Sequence, residues 1–295
     1  VTLRLVQGLS AGGEIGGGAV YLAEHAGNSY RGFKTSFLQI MGPLGILAST
    51  LQISLLQKYL ASEEFLSWGW RVPFWISLLL LIIAFYVRRS LEETPIFLNL
   101  VKDHQAKSEL FNNFRDTNSR IRMFLLFFCV SSSGAILFFC TQVYVAIFLK
   151  TSVKLDPHFV DQLSILATIT LIPLTIFSGW LSDIFGRKKI TLSGTLFGGL
   201  CIYPSFLLLQ HLGNSYKATG THLAIVGMIT VLILLVAILS LVIGPQSALL
   251  AELFPAKNRN SAATLPHNLA AGWVGGLLPF VITWLNQITT NDLAG

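Results

Sequence analysis

The chain has 295 residues, of which 53% are hydrophobic and only 12% are charged. An ordinary soluble domain carries about 25% charged residues, so this composition excludes a soluble protein of the same size. The net charge of +6 requires no nucleic-acid partner, because basic loops beside anionic membrane lipid account for it.

Long apolar blocks along the chain predict membrane-spanning helices, since each is near or beyond the roughly 20 residues that cross a bilayer. The blocks without Asp, Glu, Lys or Arg are 35–57, 123–149, 162–182, 190–210, 221–251 and 260–291. Two further blocks contain one charge each, Glu14 in 5–23 and Arg71 in 68–87. We therefore predict eight spans and an all-α transmembrane fold.

The three cysteines lie inside these apolar blocks, at Cys129, Cys140 and Cys201. They lack metal-ligand spacing, and a thiol in a membrane span normally acts as a small packing residue. We expect neither a metal site nor a disulfide.

Lysine and arginine accumulate in alternate loops, which sets the orientation of the chain. If the first span runs from outside to inside, the inner loops hold fourteen of the twenty basic residues and the outer side holds five. Such residues concentrate on the cytoplasmic side of membrane proteins. The most polar stretch, 89–121, is then a cytoplasmic linker. It joins part of one helical bundle, 1–88, to part of a second, 122–295.

A short motif occurs twice, and both copies follow a span on the inner side. Leu22-Ala23-Glu24, six residues and Arg31 recur as Leu250-Ala251-Glu252, six residues and Arg259. The copies are 228 residues and six spans apart. A parallel repeat with this offset is typical of transporters that are built from two related halves.

Several motifs resemble those of the major facilitator superfamily and, within it, of the metabolite:proton symporters. They are Arg4-x-x-Gln7-Gly8-x-x-x-Gly12, Gly8-Leu-Ser-Ala-Gly-Gly-Glu14, Tyr21-Leu-Ala-Glu24-His25, Trp68-Gly-Trp-Arg71-Val-Pro73, Leu91-Glu-Glu-Thr-Pro95, Gly179-Trp-Leu-Ser-Asp183-Ile-Phe-Gly186-Arg187-Lys188 and Glu252-Leu-Phe-Pro255. The resemblance implies a fragment with helices 4 to 11 of a twelve-helix fold. It also implies a bacterial cytoplasmic (inner) membrane location and no enzymatic activity.

The first predicted helix carries polar residues along one face. At about 100° per residue, Arg4, Gln7, Glu14 and Tyr21 fall within a ~100° arc. A charge at mid-membrane is costly, so such residues usually face a cavity or a partner. We predict that Glu14, with Arg4 and Gln7, serves proton coupling and translocation. A static Arg–Glu pair or a hydrogen-bonded packing residue is the alternative, and Arg4 could instead lie at the outer interface.

The resemblance also implies a cytoplasmic gate between the bundles. In such transporters the loop Asp, here Asp183, meets the N-terminus of a neighbouring helix, and the loop Arg, here Arg187, pairs with an acidic residue that ends another helix. Glu252 is the acidic candidate. The repeat adds Arg259, Glu24 and Arg31 to this gate. The alternative is that all six are ordinary cytoplasmic charges.

Candidate substrate contacts are Tyr21, Gln142, Tyr144, Asn268 and Trp273, because these polar or aromatic residues lie in spans that line the cavity by family resemblance.

The function predicted is proton-coupled symport of a small polar metabolite by alternating access. A proline- or betaine-like osmolyte is preferred, and a carboxylate such as α-ketoglutarate, citrate or shikimate is the alternative. We expect the protein to work as a monomer whose partners are membrane lipid and this solute. The proton is the expected coupling ion, and no other cofactor is expected. A channel or a non-transporting sensor on the same scaffold is the rival class. A membrane enzyme would need a nucleophile pair or metal cluster, and none is apparent.

Overall fold

The computed structural model describes residues 14–27, 29–90, 116–256 and 259–289, together with single positions at 2, 8, 94, 98, 102 and 114. Within these ranges the chain forms eight main helices. They are α1 (Glu14–His25), α2 (Arg31–Tyr59), α3 (Gly69–Ser90), α4 (Thr117–Thr151), α5 (Pro157–Phe185), α6 (Arg187–Thr219), α7 (His222–Glu252) and α8 (Arg259–Thr289). A short helix, Ser62–Ser67, precedes α3.

Seven of the eight predicted spans are confirmed as helices long and apolar enough to cross a membrane, α2 to α8. The eighth predicted span, 5–23, falls largely outside the described residues, and α1 is its inner part. The linker is also mostly outside them. Helix α4 begins at Thr117, inside the range 89–121 assigned to the linker, because the Asp116 carboxylate accepts a hydrogen bond from the backbone N–H of Ser119 and caps the helix.

Local sequence explains the other helix boundaries. Asp156 caps α5 by accepting from the backbone N–H of Phe159, and Pro157 occupies the first turn, where its missing N–H costs nothing. Gly186 separates α5 from α6 with φ of 93°, a conformation that favours glycine. Helix α2 has a one-residue turn at Ile40 that divides it into Arg31–Gln39 and Met41–Tyr59.

Two helices contain wider π-helical turns. These turns are Leu126–Ser131 and Phe139–Tyr144 in α4 and Ala270–Gly275 in α8. Helices α4 and α8 pack against each other at these turns, and a Cβ on Gly275 would lie 2.6 Å from the Phe139 ring. Because π-helical turns occur often at functional sites, the interface between α4 and α8 is a candidate functional site.

The second bundle has an extensive apolar core between α4, α5, α6 and α7. Phe148, Leu171, Leu209, Met228 and Leu239 are fully buried there. By contrast, α3 exposes nearly all of its large apolar side chains, as expected of a helix that faces lipid. A smaller apolar cluster joins the bundles at their cytoplasmic ends. It comprises Ala19 of α1 with Met123, Leu126, Leu250, Phe254, Ala262 and Ala263.

Candidate functional site

Six charged side chains gather above this small apolar cluster, at the end of the molecule that the basic-residue asymmetry assigns to the cytoplasm. They are Glu24, Arg31, Asp183, Arg187, Glu252 and Arg259, the residues predicted as the gate, and we call them the cytoplasmic gate. Helices α1 and α2 supply two of them and the second bundle supplies four.

Asp183, at the end of α5, caps the N-terminus of α2 in the other bundle. Its Oδ1 accepts from the backbone N–H of Gly32 and its Oδ2 from that of Phe33, both at 2.8 Å. Tyr30, at the N-cap position of α2, provides no side-chain cap. A helix N-terminus has unsatisfied N–H groups and a partial positive charge, and both favour a carboxylate. The contact therefore stabilises the closed approach of the two bundles.

Arg187 connects Asp183 to Glu252. One guanidinium nitrogen lies 2.7 Å from Asp183 Oδ1, and the other donates to Glu252 Oε1 at 3.1 Å. Asp183 is only 9% exposed and Arg187 only 18%. Charge-assisted bonds at such a site are stronger than those of exposed pairs, which contribute little.

The two copies of the repeated motif exchange partners across the bundle interface. Glu252 Oε1 lies 3.5 Å from an Arg31 nitrogen, and Glu24 Oε1 accepts from Arg259 at 3.0 Å. Each glutamate thus pairs with the arginine of the other copy. The sequence placed all four residues at the gate but did not predict this reciprocal pairing, which the repeat itself could have suggested.

Small residues allow the backbones to meet beneath these charges. A Cβ on Gly32 would lie 2.6 Å from the Gly179 carbonyl, and a Cβ on Gly179 would lie 2.6 Å from Ser36 Cβ. Close by, Gln39 of α2 donates from Nε2 to Ser247 Oγ of α7 at 2.8 Å. Gln39 and Ser247 are interface residues that the sequence analysis missed, since neither belongs to a recognised motif.

A cavity with several polar side chains lies at the opposite, outer end, between α4 and α8. Its volume is about 410 Å³. The Tyr144 hydroxyl accepts a hydrogen bond from Asn286 Nδ2 at 2.9 Å. The cavity is lined by Tyr144, Ile147, Thr151, Ser152, Thr283, Asn286 and Gln287. Of the predicted substrate contacts, only Tyr144 lines it. Asn286 was missed because it lies near the end of an apolar block without a motif.

The other predicted substrate contacts lie apart from this cavity. Gln142 accepts from the Thr168 hydroxyl at 3.0 Å and so connects α4 to α5. The Tyr21 ring packs on His25, one turn from Glu24 and close to the gate. Asn268 and Trp273 lie on α8, where Trp273 is 71% exposed. The structure does not bring these residues together.

Polar contact within the α4–α8 interface also involves His267. Its Nδ1 lies 3.3 Å from Ser131 Oγ, and both side chains are buried. The pair joins the first π-turn of α4 to α8. Among the described residues, no group of His, Cys, Asp or Glu has the arrangement of a metal site.

The predicted proton-coupling residues cannot be placed in this geometry. Arg4 and Gln7 lie outside the described residues, and Glu14 is described only as the first residue of α1. Their proposed roles remain predictions from the sequence.

Comparisons with known proteins agree with this architecture. The profile of the Major Facilitator Superfamily matches residues 1–279. The "Inner membrane metabolite transport protein YhjE" of Escherichia coli is 30% identical over 96% of this chain and 62% of its own length. The E. coli "Shikimate transporter" is 28% identical over 95% and 62%. The "Glycine betaine/proline/ectoine/pipecolic acid transporter OusA" of Dickeya dadantii is 29% identical over 98% and 56%.

The chain thus spans about 60% of the length of these curated relatives. They are membrane transporters and not enzymes, and one is named as an inner-membrane protein. The family follows from the matching profile, and the membrane location from the relatives and from seven helices among the described residues that are long and apolar enough to cross a membrane. The chain is a multi-pass protein of the inner membrane that belongs to the Major Facilitator Superfamily.

Proposed function

We propose that the protein is a proton-coupled symporter of a small polar metabolite, working as a monomer by alternating access. The observation that carries this proposal is the cytoplasmic gate. Four of its contacts cross between the bundles: the two N–H bonds to Asp183 and the two reciprocal Glu–Arg pairs. Polar contacts over a small apolar cluster can form and break as rigid bundles rock, which a permanent hydrophobic core cannot do.

The described conformation corresponds to an outward-facing state in this proposal. The gate joins the cytoplasmic ends, whereas the cavity beside Tyr144 and Asn286 lies at the outer end. Breaking the gate then opens the inner side. Glu14, near the middle of the first predicted span, is proposed to bind and release the coupled proton.

The proposed substrate is an osmolyte such as proline or betaine. Its carboxylate could accept hydrogen bonds from the hydroxyl and amide groups of the outer cavity, and OusA is named for solutes of this kind. A carboxylate such as shikimate, α-ketoglutarate or citrate is the second candidate, because the similar shikimate transporter favours it. Both candidates use the same outer cavity and the same gate.

Uptake by purified native full-length protein in proteoliposomes tests the function. With an inward-directed proton gradient, in which the outside is more acidic than the inside, we expect saturable uptake of betaine or proline that a protonophore abolishes. Glu14→Gln should remove the dependence on the pH gradient. Solute flux that is linear in concentration and independent of the gradient would indicate a channel. Binding without uptake would indicate a sensor, and preferential uptake of shikimate or α-ketoglutarate would favour the second candidate.

Because Glu24 and Arg259 form an ion pair, exchanging their charges in a double variant should restore uptake that each single variant loses. Glu24→Arg places two cations together, and Arg259→Glu places two anions together, so we expect either change to lower uptake at least about tenfold. The double variant restores opposite charges and should recover a large part of the activity. The measurement is initial uptake rate at equal protein density. Losses that simply add in the double variant would contradict a direct Glu24–Arg259 contact during transport.

The outer cavity predicts a selective effect on substrate affinity. Asn286→Ala removes a hydrogen-bonding amide, so we expect KM to rise about three- to tenfold with little change in maximal rate. Thr230→Val is the matched control, since the Thr230 hydroxyl is exposed and bonds to its own helix at Val226. An unchanged KM for Asn286→Ala would remove this cavity from the substrate pathway.

A further inference from the structure

The linker between the bundles contacts the gate directly, through Thr94. The Thr94 hydroxyl donates a hydrogen bond to Oε2 of Glu24, 70 residues earlier in the chain. Oε1 of the same carboxylate accepts from Arg259. Glu24 therefore joins three segments: the end of α1, the linker and the start of α8.

This contact is buried, although most charges on this side of the molecule are exposed. Thr94 is 4% exposed and the Glu24 side chain 6%. The backbone carbonyl of Thr94 accepts from the N–H of Leu98 at 3.0 Å. This bond orders the backbone at Thr94, and its hydroxyl is directed at Glu24. A hydroxyl donor to a buried carboxylate compensates part of the cost of removing that charge from water.

The two halves of the gate differ in their partners. Glu252 receives Arg187 and Arg31, both cations. Among the described residues, Glu24 receives one cation, Arg259, and one linker hydroxyl, Thr94. Through Thr94, the linker has direct access to the Glu24 half of the gate.

We propose that Thr94 is a positioning residue that couples the linker to the cytoplasmic gate, by holding Glu24 in the orientation that pairs with Arg259. The linker must release Glu24, or move with it, each time the gate opens. Any partner or modification that displaces the linker then shifts the transporter toward the inward-facing state. This inference rests on the proposed function, since only an alternating transporter has a gate to control.

The test compares Thr94→Val, which keeps shape but loses the hydroxyl, with Thr94→Ser, which keeps the hydroxyl. The full-length protein carries Ser247→Cys as a reporter, with the native cysteines replaced. Ser247 is fully buried beneath the gate, so its labelling by a thiol reagent from the cytoplasmic side reports gate opening. We expect Thr94→Val to accelerate labelling about three- to tenfold, and Thr94→Ser to match the parent. In a Glu24→Gln background, Thr94→Val should change the rate less than about twofold.

Equal labelling of the Val variant and the parent would overturn the inference, and so would an equal effect of Val and Ser. A full effect of Thr94→Val in the Glu24→Gln background would show that Thr94 does not act through Glu24. Thr230→Val controls for a general loss of fold. Uptake is measured separately: absence of uptake by the parent contradicts the proposed function, whereas the labelling rates still decide whether Thr94 holds the gate.

Discussion

Asp183→Asn is expected to lower initial uptake at least about tenfold and to open the cytoplasmic side. The change removes a charged acceptor from two backbone N–H groups of α2 and from Arg187. At a site so little exposed, we expect a cost of about 2–3 kcal/mol to the closed gate. That corresponds to a shift of roughly 30- to 150-fold toward the inward-facing state. Uptake and labelling of the Ser247→Cys reporter measure the two effects.

Asp161→Asn is the matched control for this substitution. Asp161 forms an ion pair with Lys150 at 2.6 Å, at the outer end, with side chains 38% and 33% exposed. An exposed pair contributes little, so we expect uptake within about twofold of the parent. If Asp183→Asn left uptake and accessibility as unaffected as Asp161→Asn does, the six charges would be ordinary cytoplasmic residues.

Gly179→Ala is expected to have the second large effect, by preventing the two bundles from closing. Its Cβ would lie 2.6 Å from Ser36 Cβ and 2.7 Å from the Gly32 carbonyl in the other bundle. Overpacking of this kind costs about 1–3 kcal/mol, borne only by the closed state. Alanine meanwhile favours the helix over glycine by about 1 kcal/mol. We therefore expect an inward-facing protein of undiminished thermal stability, with uptake reduced about five- to 150-fold.

Gly45→Ala is the control, because it lies in α2 and a Cβ there meets nothing within 4 Å. It should gain helix stability without loss of uptake. A Gly179→Ala variant that transports like Gly45→Ala would show that α2 and α5 do not need this close approach. A Gly179→Ala variant that unfolds at lower temperature would point to a stability effect in place of a conformational one.

Much of the fold is predictable from the sequence because the membrane imposes a simple code. The apolar blocks long enough to cross a bilayer correspond to the helices α2 to α8. Local caps such as Asp116 and Asp156 place the observed helix ends outside the limits of those blocks. The gate contacts of Asp183 and Arg187 followed from a motif whose residues lie close together in the chain.

The remaining features depend on packing between distant segments, which residue type alone does not encode. The Glu24–Arg259 pair joins residues 235 positions apart, and Asn286 meets Tyr144 across 142 positions. Polar residues in spans also have several possible partners. Gln142 contacts Thr168 in the same bundle, although its depth in an apolar block also fitted a substrate contact.

The most direct test of the account is the distance between spin labels at Ser29→Cys and Lys188→Cys, in the full-length protein with its native cysteines replaced. Both positions are exposed, one on the cytoplasmic side of each bundle. We predict one short distance without substrate, a second and longer distance when proline or betaine is added at low pH, and a majority of the longer distance in Asp183→Asn. A single distribution that neither substrate, pH nor Asp183→Asn changes would contradict alternating access through this gate.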